Sequence, residues 1–380
     1  MSWTLTPPVG ERIPLLGTAR APDLTFGGRY RVLLTGSGTQ ALAAALLAAR
    51  AGASTERNEV LLPAYQCPDL VTATQFAGAK ARAIDVEAGR PWLDPVSLQN
   101  ALGKQTLAII APAFLGAPER LERLTAAASG VGAVVIEDSA QLFPRNRQHQ
   151  FVAPLVVLSF GRGKPASAMG GGALLYSDAY REAVEKLALA AVSGGGLKYQ
   201  AKCMAYNVCR TPLLYRAISR ALGLGKAQFK TLDALTTMPP APLTRLSSII
   251  EGLPVEPTPA QRAISAMLRN HADHVTDLGE EISGSHKLPL LRYPVLFRDE
   301  QAAAHALGLL DEEGIGATRL YAQPLQEIQD VPPLAGGPWP NATAFAARLM
   351  TLPLHSGIGA AHVARIDRAL SRLRELKPRS

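Results

Sequence analysis

The chain has 380 residues and a formal net charge of +8, and hydrophobic residues make up 47% against 18% charged residues. This balance predicts a folded protein with a large core and two domains, and it argues against a disordered chain. A basic surface can attract phosphates, nucleotides or acidic membranes, but no basic run with interleaved aromatic residues indicates nucleic-acid binding.

Cysteine content and the N-terminus bear on the compartment. The three cysteines, Cys67, Cys203 and Cys209, cannot all pair, and none has the Cys-x-x-Cys spacing of a zinc site. We therefore expect neither a disulfide framework nor a metal site, and a reducing cytoplasm fits. Met1–Gly10 has no basic segment followed by an apolar one, and no apolar run is long enough to span a bilayer. These features predict a cytoplasmic protein.

Short apolar runs alternate with helical stretches between Arg31 and Asp178. This alternation predicts a mainly parallel sheet with helices on both faces. The predicted strands are Val32–Thr35, Glu59–Leu62, Ala81–Asp85, Leu107–Ala111, Ala133–Glu137 and Leu155–Ser159, and the predicted helices include Thr39–Ala51, Val96–Leu102 and Glu119–Ala128.

The segment Leu197–Ala241 has a different character, because basic side chains are interspersed among Tyr and Leu residues. Within it, Thr211–Leu224 has the apolar spacing of a helix with basic flanks. Two interpretations are open: an amphipathic helix on an acidic membrane surface, or a helix packed in the protein or at a dimer contact. We favour the second, because such helices are common in globular proteins. The proline-rich Met238–Pro242 then indicates a junction.

A second unit is predicted after Pro259. Its elements are a long helix, Ala260–Leu278, a strand near Leu291–Phe297, and helices at Gln301–Glu313 and Ala360–Leu376. We therefore predict a large α/β domain over residues 1–240, with 197–240 as an atypical basic helical insertion, and a smaller α+β domain over 241–380.

A glycine-rich turn, Thr35-Gly-Ser-Gly-Thr39, lies between the first strand and the first helix. Glycines let the backbone approach a ligand, and the N-terminus of a helix offers free N–H groups and a partial positive charge. A phosphate would fit there, although a turn of this kind is more often only a tight turn.

Asp138 follows a predicted buried strand at the edge where parallel sheets bind ligands. A carboxylate there can pair with a pyridine nitrogen and keep it protonated, and the alternative is a helix cap. Gln141 lies about one helical turn further on and could reach the same ring.

Lys164 stands in the glycine-flanked segment Ser159-Phe-Gly-Arg-Gly-Lys164. An amine placed behind a strand-end Asp could form a Schiff base with pyridoxal phosphate (PLP), acting as nucleophile and base, with Ser159 donating to the phosphate. Taken singly, a loop lysine is more often solvated. Tyr65 or Cys67, at another strand end, could cover a ring face, or Tyr65 could be a half-buried residue of a turn.

These motifs resemble, in order, those of the PLP-dependent sugar aminotransferases of the DegT–StrS family, within the fold-type-I aspartate aminotransferase superfamily. The resemblance runs from about Gly36 to Tyr180 and resumes near Ala260. The matching motifs are Ser37–Leu42, Glu59–Pro63, Phe76–Ala79, Ile84–Val86, Ile136–Gln141, Ser159-Phe160 with Lys164, and Leu352–His355.

The resemblance implies a PLP-transferase fold of type I, with a mainly parallel seven-stranded sheet between helices and a smaller C-terminal α+β domain. It implies that Lys164 holds PLP and shuttles the proton, that Asp138 pairs with the pyridine nitrogen, and that Gln141 contacts the ring or its phenolic oxygen. The residues that it assigns to the phosphate are Gly38, Thr39, Gln40 and Ser159.

The resemblance also implies the reaction. An amino acid, usually glutamate, would donate its amino group to a keto-sugar, often a nucleotide-linked one, in polysaccharide or secondary-metabolite biosynthesis. The enzyme would be a homodimer with active sites at the interface. Relatives with His in place of the lysine are dehydratases, so Lys164 favours transamination.

Three departures from the family pattern leave alternatives open. Cys67 stands where the family has an aromatic residue stacked on the ring, so either Tyr65 substitutes or stacking is lost. The family's phosphate-binding Asn is either Asn207 or missing, and we favour its absence because Met238 then aligns with the family's Met. Pro165 follows the lysine where Asn is frequent. A PLP enzyme with a non-sugar acceptor or another reaction, and a non-catalytic regulatory or binding protein, remain alternatives.

Overall fold

A central sheet dominates the computed structural model, which describes residues 3–18, 20, 22–144, 150–222, 227–284 and 288–375. The strands of its first half are short, and those in the middle of the sheet are almost wholly buried, as expected for a sheet covered on both faces. They are β1 (Arg31–Thr35), β2 (Glu59–Pro63), β3 (Lys80–Ile84), β4 (Thr106–Pro112), β5 (Val134–Asp138), β6 (Leu155–Ser159) and β7 (Gly172–Tyr176).

Helices cover this sheet on both faces, as the alternating pattern predicts. Those of the first half are α1 (Gly38–Ala51), α2 (Asp69–Phe76), α3 (Pro95–Ala101), α4 (Leu121–Val131), α5 (Arg181–Glu185), α6 (Gly196–Cys209) and α7 (Pro212–Leu222). The helices and strands after them are α8 (Pro240–Glu251), α9 (Pro259–Leu268), β8 (Val275–Thr276), α10 (Leu278–Ser283), β9 (Tyr293–Phe297), α11 (Glu300–Glu312), β10 (Ala335–Gly336), α12 (Pro340–Arg348), β11 (Leu349–Leu352) and α13 (Ala360–Glu375).

The order of strands in the main sheet is β1-β7-β6-β5-β4-β2-β3-β10. β7 runs antiparallel to both of its neighbours, and the other pairs are parallel. The predicted fold class is confirmed, with seven main strands and a two-residue eighth at the edge. Because β2, β4, β5 and β6 are mutually parallel, their carboxyl ends meet at one edge, where polar side chains follow them.

Helix α1 is apolar nearly all round and lies buried against β6 and β7. Its N-terminus begins at the end of β1, where the Ser37 hydroxyl accepts a hydrogen bond from the Gln40 N–H. Gly38 permits this position, because a Cβ there would lie 2.6 Å from the Cβ of Ser159 at the end of β6. The first turn of α1 is therefore held directly against the strand that leads to Lys164.

The second half forms a three-stranded antiparallel sheet, in the order β11-β9-β8, packed with helices. The predicted helix Ala260–Leu278 is too long: α9 ends at Leu268, and α10 begins at Leu278, where the Asp277 carboxylate accepts from the Glu280 N–H. A short 3-10 helix, Arg269–His271, and strand β8 lie between them. Strand β10, from the predicted C-terminal domain, pairs with β3 of the main sheet. The division of the chain into two domains at residue 240 stays a prediction.

The segment predicted to be an insertion contains α6 and α7. Asn207 of α6 donates to the Ile13 carbonyl and accepts from the Ile13 N–H of the same chain, while Arg216 of α7 is buried and forms an ion pair with Asp311. Leu213 remains exposed. These contacts favour the packed-helix interpretation. In the part of the chain that the structure describes, no helix combines the length and apolar character needed to cross a membrane.

Candidate active site

A cavity of about 270 Å³ lies at the carboxyl edge of the main sheet, in front of the N-terminus of α1. It brings together segments that are far apart in the sequence: the turn before α1, the segments after β2, β4, β5 and β6, and the loop that leads into β7. Its lining includes Ser37, Gly38, Thr39, Gln66, Cys67, Asp69, Asp138, Gln141, Ser159, Arg162 and Lys164.

The loop that carries Lys164 is anchored at both ends. Phe160 is fully buried, its N–H donates to the Gly171 carbonyl, and the Gly171 N–H donates to the Gly36 carbonyl beside α1. The Lys164 N–H closes a turn on the Gly161 carbonyl (3.3 Å). The loop therefore presents a half-buried amine to the cavity, as the sequence predicts.

Asp138 lies across the same cavity at the end of β5, with 8% of its surface exposed. Its Oδ1 accepts from the Ala140 N–H (3.0 Å), and no described residue donates to Oδ2. Burial raises the pKa of Asp138, while the Ala140 hydrogen bond and the Lys164 charge oppose the shift. A cationic group in the cavity would therefore stabilise the ionised carboxylate, which suits the predicted pairing with a protonated pyridine nitrogen.

The wall beside Asp138 is formed by Gln141. Its Oε1 accepts from the Leu115 N–H (3.1 Å), and its Nε2 donates to the Tyr321 hydroxyl (3.4 Å). These two bonds hold the amide plane in one orientation. The structure thus places Gln141 in the cavity, as predicted, and ties it to Tyr321, which the sequence did not indicate.

The N-terminus of α1 closes the other end of the cavity. The first N–H groups of a helix have no partner within the helix, so those of Gly38 and Thr39 are available to an anion beside Ser159. Thr39 Oγ1 donates to Asp69 Oδ2 (2.9 Å). Asp69, the first residue of α2, was missed because a helix-start Asp is ordinary as a sequence feature.

The predicted phosphate contact of Gln40 is not supported by the position of its side chain. Its Oε1 accepts from the Gly36 N–H (3.1 Å) and from both the N–H (2.9 Å) and the hydroxyl (3.0 Å) of Thr236. Gln40 does not line the cavity. The side chain fixes the segment before Met238 against the turn that begins α1, so it acts on the site through the backbone.

The predicted ring-face residues, Tyr65 and Cys67, separate in the structure. Tyr65 is buried among aromatic rings, with centroids 5.9 Å from Phe114, 5.6 Å from Tyr321 and 5.1 Å from Phe345. It does not line the cavity, so that prediction is wrong. Cys67 does line it. Burial raises the pKa of the Cys67 thiol to about 12, so the group is neutral at physiological pH.

The donor set fits PLP. An amine and a carboxylate face one cavity, the first turn of α1 supplies N–H groups for a phosphate, and the glycine at position 38 makes the close approach possible. Within the described residues, no group of three or more His, Cys, Asp or Glu side chains is arranged to bind a metal ion. Fold and cavity together define a protein of the fold-type-I PLP-dependent class.

The chain belongs to the DegT/DnrJ/EryC1/StrS aminotransferase family, whose model matches residues 24–371. The aminotransferases of this family depend on PLP. The family expected from the ordered motifs is therefore confirmed. The individual residue roles remain predictions, which the geometry supports for Lys164, Asp138, Gln141 and Ser159.

Curated relatives match over part of their length. The erythromycin biosynthesis sensory transduction protein EryC1 of Saccharopolyspora erythraea is 33% identical over 147 residues, 38% of this chain and 39% of that protein. The UDP-2-acetamido-2-deoxy-3-oxo-D-glucuronate aminotransferase of Pseudomonas aeruginosa is 27% identical over 156 residues, 40% of this chain and 43% of that protein. These matches span about two fifths of the relatives' lengths.

A solved structure shares the fold over most of both chains. PseC of Helicobacter pylori, an aminotransferase involved in the biosynthesis of pseudoaminic acid, is 18% identical and covers 92% of this chain and 88% of that one, with a TM-score of 0.68. At this identity the likeness establishes the fold alone.

Proposed function

We propose that the protein is a PLP-dependent aminotransferase that transfers an amino group from an amino acid, with glutamate as the expected donor, to a keto-sugar. The observation that carries the proposal is the placement of Lys164 and Asp138 in one cavity, in front of the N-terminus of α1. An amine, a buried carboxylate and an anion site are the three groups that this chemistry requires of a protein.

Bound PLP supplies an electrophilic carbon and an electron sink, and the protein supplies positioning and proton transfer. Lys164 Nζ binds the cofactor and moves the proton to and from the donor carbon. Asp138 keeps the ring nitrogen protonated. The first turn of α1 and Ser159 hold the phosphate. Gln141, fixed by Leu115 and Tyr321, orients the ring.

A nucleotide-linked keto-sugar is the acceptor that we propose. The name of the Pseudomonas relative specifies a UDP-linked 3-oxo sugar acid, and the name of the Helicobacter structure specifies the biosynthesis of pseudoaminic acid. These names support a role in polysaccharide or secondary-metabolite biosynthesis. The net charge of +8 also favours an anionic nucleotide substrate.

The decisive experiment replaces Lys164 with Ala. We expect the visible absorbance of the bound cofactor and the conversion of glutamate to 2-oxoglutarate both to disappear. Lys186→Ala is the matched control, because Lys186 is exposed and pairs with Glu182 on the surface. A Lys164→Ala protein that keeps both signals would contradict the assignment.

A regulatory function is the second candidate. Cys67 stands in the cavity where the family has an aromatic residue, and two curated relatives are named as a sensory transduction protein and a pleiotropic regulatory protein. This candidate predicts stable cofactor absorbance that glutamate does not change. Formation of 2-oxoglutarate by the wild-type protein would exclude it.

We further propose a cytoplasmic homodimer with the site completed at the interface. Ser37, Thr39 and Asp69 also line a second crevice of about 360 Å³, so the phosphate end of the cavity adjoins a surface that has room for a partner subunit. All three cysteines are free, which supports a reducing compartment. Sedimentation should give twice the chain mass of 40.2 kDa. A monomer at micromolar concentration would refute the dimer.

A further inference from the structure

One face of helix α6 is apolar and exposed among the residues that the structure describes. Its side chains repeat with the period of a helix, so they form one stripe along it. They are Leu197, Ala201, Met204, Ala205 and Val208, and all five are exposed. The side chain of Leu197 is 90% exposed. A helix of a globular protein turns such a stripe towards the core, so this stripe is placed to contact another molecule.

The opposite face of α6 holds the helix in this orientation. Cys203 is fully buried, and the Tyr199 hydroxyl donates to the Ala168 carbonyl (2.7 Å). The Nζ of Lys202 donates to the Met169 carbonyl (2.8 Å). These contacts attach α6 to the loop that leads into β7. The stripe cannot turn inward without breaking them, so its exposure follows from the fold.

Two neighbouring segments extend the apolar surface. The start of α7 adds Leu213 and Leu214, which are both exposed. The N-terminal segment runs beside α7, because the Leu5 N–H donates to the Pro212 carbonyl (2.9 Å), and its Trp3 is 88% exposed. Tryptophan is enriched where a protein meets the boundary between a bilayer and water. The α6–α7 face consists of Trp3, Leu197, Met204, Val208, Leu213 and Leu214.

The net charge of the chain is concentrated in the same region. Residues 187–232 contain seven Lys and Arg and no Asp or Glu, whereas the rest of the chain has 32 basic and 31 acidic residues. Lys198 is exposed beside the stripe. Arg12 is also exposed, and it precedes Ile13, whose N–H donates to Asn207 of α6 (3.0 Å). Apolar side chains among cations are what an anionic bilayer surface attracts.

We propose that the α6–α7 face docks the protein on an anionic phospholipid surface. The apolar side chains enter the boundary between headgroups and acyl chains, and Lys198 and Arg12 contact the lipid phosphates. The charge pattern favours a bilayer over a second copy of the chain. A symmetric contact through this face would bring two cationic segments together, and neither has an acidic residue to offset the repulsion. The docking does not depend on the aminotransferase reaction.

The test is co-sedimentation of the PLP-loaded protein with vesicles of equal parts phosphatidylglycerol and phosphatidylcholine, compared with vesicles of phosphatidylcholine alone. We expect binding to the mixed vesicles that weakens in high salt, and little binding to phosphatidylcholine. Lys198→Gln should weaken binding about fivefold, the contribution of one cation near an anionic surface. Leu197→Ser combined with Leu213→Ser should weaken it by about tenfold or more, because two apolar anchors are lost.

Matched controls are Lys104→Gln and Val96→Ser, which change exposed residues outside the α6–α7 face. Both should bind vesicles as the wild type does, and cofactor absorbance reports the folding of every variant. Equal sedimentation with the two kinds of vesicle, or wild-type binding by the double Leu variant, would overturn the proposal. If the wild type ignores vesicles and the double Leu variant turns a dimer into a monomer, the face belongs to a second copy and the proposal also fails.

Discussion

Replacing Gly38 with Ala should weaken cofactor binding by moving the first turn of α1 away from β6. A Cβ at this position would lie 2.6 Å from Ser159 Cβ and 2.7 Å from Ser159 Oγ. Two carbon atoms in ordinary contact are about 3.5–4.0 Å apart, so the helix or the strand must shift by about 1 Å. Both elements belong to the proposed phosphate site, so the shift falls on the groups that would bind the anion.

Two effects determine the expected magnitude. Overpacking of a tight contact costs about 1–3 kcal/mol of folding stability. A displacement of this size also lengthens the hydrogen bonds that a phosphate would receive from α1 and from Ser159. Loss of one charge-assisted bond weakens binding by about tenfold or more. We therefore expect both a lower melting temperature and a higher dissociation constant for PLP.

The assay is a spectroscopic titration of PLP into the cofactor-depleted protein, together with thermal unfolding. Gly52→Ala is the matched control, because Gly52 lies at the other end of α1 with a φ of −98° and nothing within 4 Å of the added methyl group. The second change Ser159→Gly should relieve the clash and restore folding stability to Gly38→Ala. If Gly38→Ala binds PLP as Gly52→Ala does, the close-approach argument is refuted.

Four other predictions test charge and burial. Asp138→Asn should retain PLP but lower the rate of the glutamate reaction by about 100-fold or more, because the ring nitrogen loses its counterion. Burial raises the pKa of Asp138, so the folded state binds this proton more tightly than the unfolded state does. The cofactor-free wild type should therefore lose stability as the pH rises from about 4 through the raised pKa, whereas the Asn variant should not. Identical pH–stability curves would contradict this expectation. Because burial raises the pKa of the Cys67 thiol to about 12, mass spectrometry should find almost no alkylation of Cys67 by iodoacetamide at pH 8 in the folded protein. Rapid labelling would refute the raised pKa. Asp311→Ala should lower the free energy of unfolding, measured in urea, by about 2–3 kcal/mol, because buried Arg216 loses its carboxylate partner. Glu182→Ala removes an exposed ion pair and should lower it by under about 0.5 kcal/mol. Equal effects would be evidence against a packed α7.

The sequence determined those parts of the site that lie at the ends of strands. Asp138 and Ser159 each end a buried strand, and parallel strands place their carboxyl ends at one edge of a sheet. The turn before α1 had the glycines that a close approach needs. These local features, taken in order, were enough to predict the fold, the family and the convergence of Lys164 with Asp138 and Gln141.

Tertiary structure decided what each side chain touches. Tyr65 and Cys67 are two residues apart, but the chain leaves strand geometry after Pro63, so alternation no longer indicates their faces, and Tyr65 turns into the aromatic core. The Gln40 side chain accepts a hydrogen bond from the N–H of Thr236, which lies 196 residues further on.

The position of Leu291 likewise depends on its hydrogen bond to the Leu115 carbonyl across the fold. Sequence patterns report the period of an element and the residues at its ends, because these depend on local backbone geometry. Contacts between distant segments depend on how the two halves of the chain pack, and only the tertiary structure supplies them.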